Sequence, residues 1–296
     1  MLNLPAYYIH RHSEIRNMRP IISPADLLAL YRQKNFTLID ARSGPKAKEN
    51  YEKEHLKGAL WVDLEQDLSE KAGNAAQGGR HPLPPVAKFA RLLGQLGITP
   101  ESHLVVYDDK SGANAAARFW WMLRAVGHEK IQVVDGGYQA AIDAGFPVNA
   151  GSETSTPTTA YPADTWQLPL AEIEEVALAA QAPHAMVIDV REPGRYAGEF
   201  EPIDLVAGHI PGAINIPFAD NLDANGFYLS PEKLQAKYTE VLSNIDPDNV
   251  IVHCGSGVTA CHTLLAMAQA GREIPKLYVG SWSEWSRNER PIATKE

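Results

Sequence analysis

The sequence predicts an α/β protein made of two related halves, and three observations carry that prediction. Short apolar runs of strand length alternate with segments of helical period along the chain. The same ordered set of motifs occurs twice, at a nearly constant spacing. A stretch rich in Ser, Thr and Pro lies between the two sets. Strands that alternate with helices favour parallel sheets covered on both faces.

Taken in order, residues 1–20 carry several Arg and His but no cationic segment followed by an apolar run, so they read as an extension and not a secretory signal. In the first half, TLID, LVVYD and IQVVD have the length of buried strands, separated by the helical segments PADLLALYRQ, VAKFARLLGQLG and AARFWWMLRAVG. The segment GSETSTPTTAYPADTWQLP, residues 151–169, has no helical period and reads as a linker. In the second half the strands are MVID, VIVHC and KLYV, and the helices are LAEIEEVALAA, PEKLQAKYTEVL and VTACHTLLAMAQAG. The expected division is an extension over 1–20, a first domain over 21–150, the linker over 151–169 and a second domain over 170–296.

The repeat is specific. TLIDAR ends at Arg42 and MVIDVR at Arg191, an offset of 149 residues. HLKGALWVDLEQDL from His55 matches HIPGAINIPFADNL from His209, an offset of 154. LVVYD ends at Asp108 and VIVHC at Cys254, an offset of 146, and VVDGGYQAA from Val133 resembles LYVGSWSEW from Leu277.

Composition narrows the function. A content of 45% hydrophobic and 21% charged residues excludes disorder and fibre. The net charge of −9 argues against a broad nucleic-acid surface, which is normally basic. No apolar run approaches the ~20 residues of a membrane helix, and a cytoplasmic location is the default expectation. Two cysteines, Cys254 and Cys261, are too few for a disulfide framework.

Ligands of open parallel sheets bind beyond the carboxyl ends of the strands, where loops enter helices. That rule selects the turn at Cys254. VIVHCGSGVTACHTLLAMAQAG reads as a strand, a short turn and a helix, with Cys254 ending the strand. Gly255 and Gly257 let successive amides turn inward and, with the helix start, form an anion nest around the sulfur. A cysteine so held is expected to react as thiolate. His253, Cys254, Cys261 and His262 are spaced wrongly for zinc, and neither a metal nor another cofactor is expected. A phosphatase would need an arginine beside the anion, but the sixth position after Cys254 is Ala260, and no Arg occurs before Arg272. Cys261, on the helix, reads as a core residue.

The loop CGSGVTA resembles the active-site loop of 3-mercaptopyruvate sulfurtransferases, within the tandem-domain rhodanese family. The resemblance extends from about Ile21 through the D-A-R and D-V-R strands, H-I-P-G-A-I-N, WW-M-L-R-A-V-G-H and G-S-W-S-E-W. It implies two rhodanese-like domains, each a mainly parallel sheet flanked by helices, with only the second catalytic; the first has Asp108 where the second has Cys254. It implies a Cys254 persulfide as sulfur carrier, a small-molecule sulfur donor, and a thiol acceptor such as a thioredoxin-like protein or a low-molecular-weight thiol.

The resemblance also assigns roles. Gly255, Ser256, Gly257, Val258 and Thr259 form the loop around the donor, and the neutral Gly255 and Ser256 suit mercaptopyruvate better than doubly charged thiosulfate. Ser256 is expected to move a proton together with Asp63 and His81 of the first domain. Arg195 is expected to grip the donor carboxylate, and Arg191, like Arg42, to be structural. A second substrate arginine of the family is missing: Ile203 and Asp204 occupy that neighbourhood, leaving thiosulfate open as the alternative donor. A sulfur-binding or regulatory module without turnover is the reading of a different class.

Overall fold

The computed structural model describes residues 18–71, 73–243 and 245–294. The extension expected over residues 1–20 lies, up to residue 17, outside the described residues.

Ten residues of good helix formers begin the first half behind a cap. In α1 (Pro24–Gln33) Pro24 occupies the first turn, and the Ser23 hydroxyl accepts from the Asp26 amide at 3.1 Å. The strands β1 (Ile21–Ile22), β2 (Thr37–Asp40), β4 (Ala59–Trp61), β5 (Leu104–Tyr107) and β6 (Ile131–Val134) form one parallel sheet in the order β1-β6-β5-β2-β4. β5 and β6 are buried along their whole length, as expected for apolar runs without polar alternation. Helices α2 (Ala47–Lys53), α3 (Val86–Gln95), α4 (Ala115–Ala125) and α5 (Gly137–Asp143) flank it, and β3 (His55–Leu56) pairs antiparallel with β7 (Val148–Asn149).

The second half repeats the plan. Strands β8 (Met186–Asp189), β9 (Ile214–Asn215), β10 (Val250–His253) and β11 (Lys276–Leu277) form a sheet in the order β11-β10-β8-β9, also parallel. It is flanked by α6 (Ile173–Ala179), α7 (Pro193–Ala197), α8 (Pro231–Leu242), α9 (Ala260–Gln269) and α10 (Ser281–Trp285). The KLYV run is shorter than expected as a strand, because the chain turns at Gly280 into α10.

The duplication extends to single hydrogen bonds. The Arg42 side chain donates to Asp40 and to the Glu54 carbonyl; Arg191 donates to Asp189 and to the Gly208 carbonyl. Arg42 lies over the ring of Tyr138, and Arg191 over that of Trp282. Tyr51 stacks on His55, and Tyr196 on His209.

One apolar core runs through both halves, including Phe119, Trp120 and Leu123 of α4 and Leu264 and Leu265 of α9. Both helices are apolar on nearly every side because each is covered by its own sheet and by the other domain. The segment 151–169 is no free tether. Its Thr158 amide donates to the Gly94 carbonyl, Tyr161 to Ala90 and Gln167 to Ala125, so it straps α3 and α4. Gly94 permits this approach, since a Cβ there would stand 2.6 Å from the Thr159 oxygen. No described helix is long and apolar enough to cross a membrane.

Candidate active site

The parallel strand β10 delivers Cys254 to the carboxyl edge of its sheet, and α9 begins six residues later. Cys254 is 3% exposed. Gly257 has φ +73°, and a Cβ there would lie 2.5 Å from the Val279 carbonyl oxygen, so conformation and space both demand glycine. Gly255 faces the rim: a Cβ there would lie 3.2 Å from Arg80 Nη2, 3.5 Å from Arg195 Nη2 and 3.7 Å from Asp204 Oδ2.

The loop is held from behind. The Cys254 amide donates to Ser281 Oγ at 3.2 Å, and the Cys254 and Gly255 carbonyls accept from the amides of Trp282 and Ser283. Ser281 sits at φ +54°, an uncommon conformation for a residue with a side chain. Among the described residues, the amides of residues 255–259 donate to no protein oxygen. The equivalent loop of the first half is different. There the buried Asp108 carboxylate accepts from the amides of Lys110, Gly112, Asn114 and Ala116, at 2.8–3.2 Å. Burial nonetheless pushes its pKa up against those four donors. One nest is thus filled by its own carboxylate, while the donors of the other remain available around a sulfur.

His81 crosses from the first half to the loop. Its Nδ1 lies 2.7 Å from Ser256 Oγ, and its Nε2 lies 3.0 Å from Glu65 Oε1. Burial lowers its pKa and Glu65 opposes that shift, so the neutral ring, able to take a proton, is favoured. Asp63 is not brought to His81. Its Oδ1 accepts from the amides of Glu65 and Gln66, capping the turn that presents Glu65 two residues later. The carboxylate facing His81 is therefore the exposed Glu65, a residue sequence reasoning missed because nothing in the Asp-Leu-Glu string says which acid meets the ring.

Arg195 reaches the loop as expected. Its Nη2 contacts Glu201 Oε1 at 2.7 Å and Asp204 Oδ2 at 3.5 Å. Asp204, with a fully buried side chain, also receives Arg80 at 3.0 Å and Arg287 at 3.0 Å. Arg80 of the other domain, beside His81, thus brings a guanidinium to the neighbourhood of Ile203. Four guanidiniums, of Arg80, Arg191, Arg195 and Arg287, meet Glu201 and Asp204 here; Arg191 is also paired with Asp189, which leaves a net positive rim. Arg80 and Arg287 were not legible, since nothing local in the sequence brings residues 80, 204 and 287 together. Arg191 is buried in the frame on Asp189.

The two halves are pinned at this site. The Gly78 amide donates to Glu284 Oε1, the Arg80 amide to Ser283 Oγ, and Asn288 Nδ2 to the Ala76 carbonyl. Of the remaining loop residues, Val258 is buried and Thr259 half-buried at the start of α9. Cys261 is fully buried, its thiol donating to the Gly257 carbonyl, and its pKa is pushed up to about 12 by burial. The arrangement offers a buried thiol among free amides, a proton-transferring pair and cations for an anionic group.

The family model of the rhodanese-like domain matches residues 23–144 and 172–288. The probable 3-mercaptopyruvate sulfurtransferase of Pseudomonas aeruginosa is 40% identical over 279 residues, covering 92% of this chain and 94% of that protein. The thiosulfate sulfurtransferase of Mus musculus is 36% identical over 251 residues, 83% of this chain and 82% of its own. Among solved structures, 3-mercaptopyruvate sulfurtransferase from Leishmania major superposes with a TM-score of 0.80 at 31% identity, over 92% of this chain and 75% of that one.

Proposed function

The chain belongs to the rhodanese-like domain family, and from that premise we propose that this sulfurtransferase takes sulfur from 3-mercaptopyruvate and releases pyruvate. The Cys254 thiolate attacks the donor sulfur. The carbon–sulfur bond breaks, its electrons pass to the enolate of pyruvate, and Cys254 carries the sulfur as a persulfide. The unspent amides of the loop suit both sulfur anions.

The observation that carries the donor assignment is the 2.7 Å contact between Ser256 Oγ and His81 Nδ1. An enolate must gain a proton to become pyruvate, whereas sulfite leaving thiosulfate needs none. The thiol proton of the donor supplies it, passing through Ser256 to the neutral His81 ring, which Glu65 faces, and returning by the same path to the enolate. Arg80 and Arg195 bind the single carboxylate. Asp63 serves this relay only by shaping the turn that carries Glu65. The acceptor is a thiol, of a small molecule or a protein, and a working site with an unbridged thiol suits the reducing cytoplasm.

Thiosulfate is the second reading, favoured by the surplus of guanidiniums at the rim and by the 36% identity to a thiosulfate sulfurtransferase. A donor panel decides between them, measuring pyruvate from mercaptopyruvate and thiocyanate from thiosulfate with cyanide. A higher kcat/KM with thiosulfate would overturn the donor assignment. Cys254→Ser should abolish the persulfide by mass spectrometry; a sulfur adduct retained on Cys261 would overturn the carrier.

A further inference from the structure

The catalytic half contains a loop that the first half lacks. Tyr51 and His55, stacked and four residues apart, correspond to Tyr196 and His209, stacked and thirteen apart. The nine additional residues lie between Tyr196 and His209 and include residues 200–206. They invert the usual arrangement of polar and apolar groups. Glu201 and Asp204 point inward, where Glu201 Oε1 accepts from the amides of Ile203 and Asp204 and binds Arg195. Phe200, Ile203, Leu205 and Val206 point outward and are 44–67% exposed. Among the described residues only four other large apolar side chains are 36% or more exposed, and one of them, Ile292, adjoins the loop at Gly208.

This patch is anchored, not frayed. Asp204 holds three guanidiniums, and the Val206 carbonyl accepts from Trp282 Nε1 at 2.8 Å. The neighbouring Trp282 amide donates to the Cys254 carbonyl, and Asp204 flanks Gly255, so the patch borders the mouth above the sulfur. A clustered apolar surface fixed by buried polar groups is the pattern of an interaction site.

We propose that the loop 200–206 docks a protein acceptor that presents a reactive dithiol from an apolar surface, a proposal that rests on the sulfurtransferase reading above. The occupant follows from the chemistry. A persulfide on the nearly buried Cys254 can be reached only by a thiol that projects into the mouth, and the surface surrounding that thiol must then lie on the rim. The first acceptor thiolate attacks the outer sulfur, the Sγ–S bond breaks, and Cys254 regains its thiolate while the acceptor becomes persulfurated. The second acceptor thiol then displaces that sulfur as hydrosulfide and closes a disulfide. The dithiol is oxidised and the sulfane sulfur reduced, so no further reagent is required. Cyanide and dithiothreitol are too small to need the rim.

The test compares the full chain with the double variant Ile203→Ser/Leu205→Ser, which leaves Glu201 and Asp204 in place. Reduced thioredoxin, regenerated by its reductase, is the protein probe; cyanide and dithiothreitol are the small acceptors. The variant should lose kcat/KM for thioredoxin by about tenfold, the effect of removing one or two apolar anchors, and keep turnover with cyanide within about twofold. Equal losses with all acceptors would assign the loop to the pocket and overturn the proposal. So would unchanged thioredoxin kinetics, or a wild type no faster with thioredoxin than with dithiothreitol at equal thiol. Sedimentation is the second measurement: a wild-type dimer that the variant converts to monomer would give the patch to a second copy. Loading Cys254 from thiosulfate keeps the docking test independent of the mercaptopyruvate assignment, which fails by itself if no pyruvate is released.

Discussion

Arg118 Nη1 donates to the carbonyl of Gly257 across 3.2 Å, so a helix of the first domain holds the Cys254 loop of the second. Its Nη2 donates at 3.1 Å to the carbonyl of His81, the residue whose ring meets Ser256. One side chain therefore braces both the residue that follows Ser256 and the backbone of His81. Arg118 is fully buried, and among the described residues no carboxylate pairs with it. Burial lowers its pKa, while the sulfurs of Cys261 and Cys254 oppose that shift. Cys261 is kept a thiol by its own burial, leaving Cys254 as the sulfur whose negative charge would offset the cation.

Removing that cation is predicted to affect chemistry more than folding. In Arg118→Met the Leu68 and His81 carbonyls lose a donor, at about 1–3 kcal/mol each, and the Gly257 carbonyl keeps the Cys261 thiol, but the cost of burying an unpaired cation disappears as well. Alkylation of Cys254 by iodoacetamide at neutral pH should slow several-fold, with Arg118→Lys close to wild type. An unchanged rate in a folded Met variant would reduce Arg118 to a packing residue.

The pH profile should report His81. Burial lowers its pKa, so the neutral ring that takes a proton from Ser256 persists as pH falls through the ordinary imidazole value of about 6.5. Turnover with mercaptopyruvate should hold there and fall only below it. Glu65→Gln removes the charge that opposes burial, so the acid limb should move still lower, while kcat drops by about tenfold or more through loss of ring orientation. A limb that shifts upward in Glu65→Gln would contradict this assignment.

Asp63→Asn should behave differently. It weakens the bonds to the Glu65 and Gln66 amides, a cap-type loss of about 1 kcal/mol, visible as a lower melting temperature. The acid limb should stay where it is. A shifted limb would restore Asp63 to the relay.

These two acids mark how far the sequence could be read. TLID and MVID were legible as strands because apolar runs covered on both faces are coded locally, and CGSG at a strand end was legible for the same reason. Arg195 was singled out through the resemblance, and the structure places its guanidinium beside Gly255. Glu65, Arg80 and Arg118 act across the domain boundary, and their positions depend on the packing of α4 against α9 and of residues 76–81 against residues 283–288, which no local period encodes. The packing of the linker over residues 151–169 was not legible for a similar reason: its composition signals the absence of helix, but not the open groove at Gly94.

Arg80→Ala and Arg195→Ala should each raise the KM for mercaptopyruvate by about tenfold or more, as expected for a charge-assisted hydrogen bond of about 1.5–3 kcal/mol. Because Asp204 contacts both guanidiniums, the double variant should lose a different amount from the product of the two single effects. Steady-state kinetics of the cycle checks this. A KM unchanged in Arg80→Ala would return Arg80 to a purely interdomain ion pair.

Asp108→Asn tests the asymmetry of the two nests. An amide oxygen can still accept from two loop amides, but its NH2 then faces the remaining donors, so one or two buried N–H groups lose their partner. That should lower stability at neutral pH by about 1–3 kcal/mol. The sign with pH is also fixed. Burial raises the Asp108 pKa in the folded state, so the folded protein binds the proton more tightly, and this contribution to stability is present at low pH and lost as pH rises through the raised value. Asn has no proton to lose, so the difference between wild type and variant should change across that window in urea unfolding. Turnover should remain within about twofold of wild type, because Asp108 fills its nest only to hold the loop, whereas Cys254 uses its own to carry charge. A folded Asp108→Asn protein that fails to load sulfur would show that the first nest takes part in the chemistry of the second.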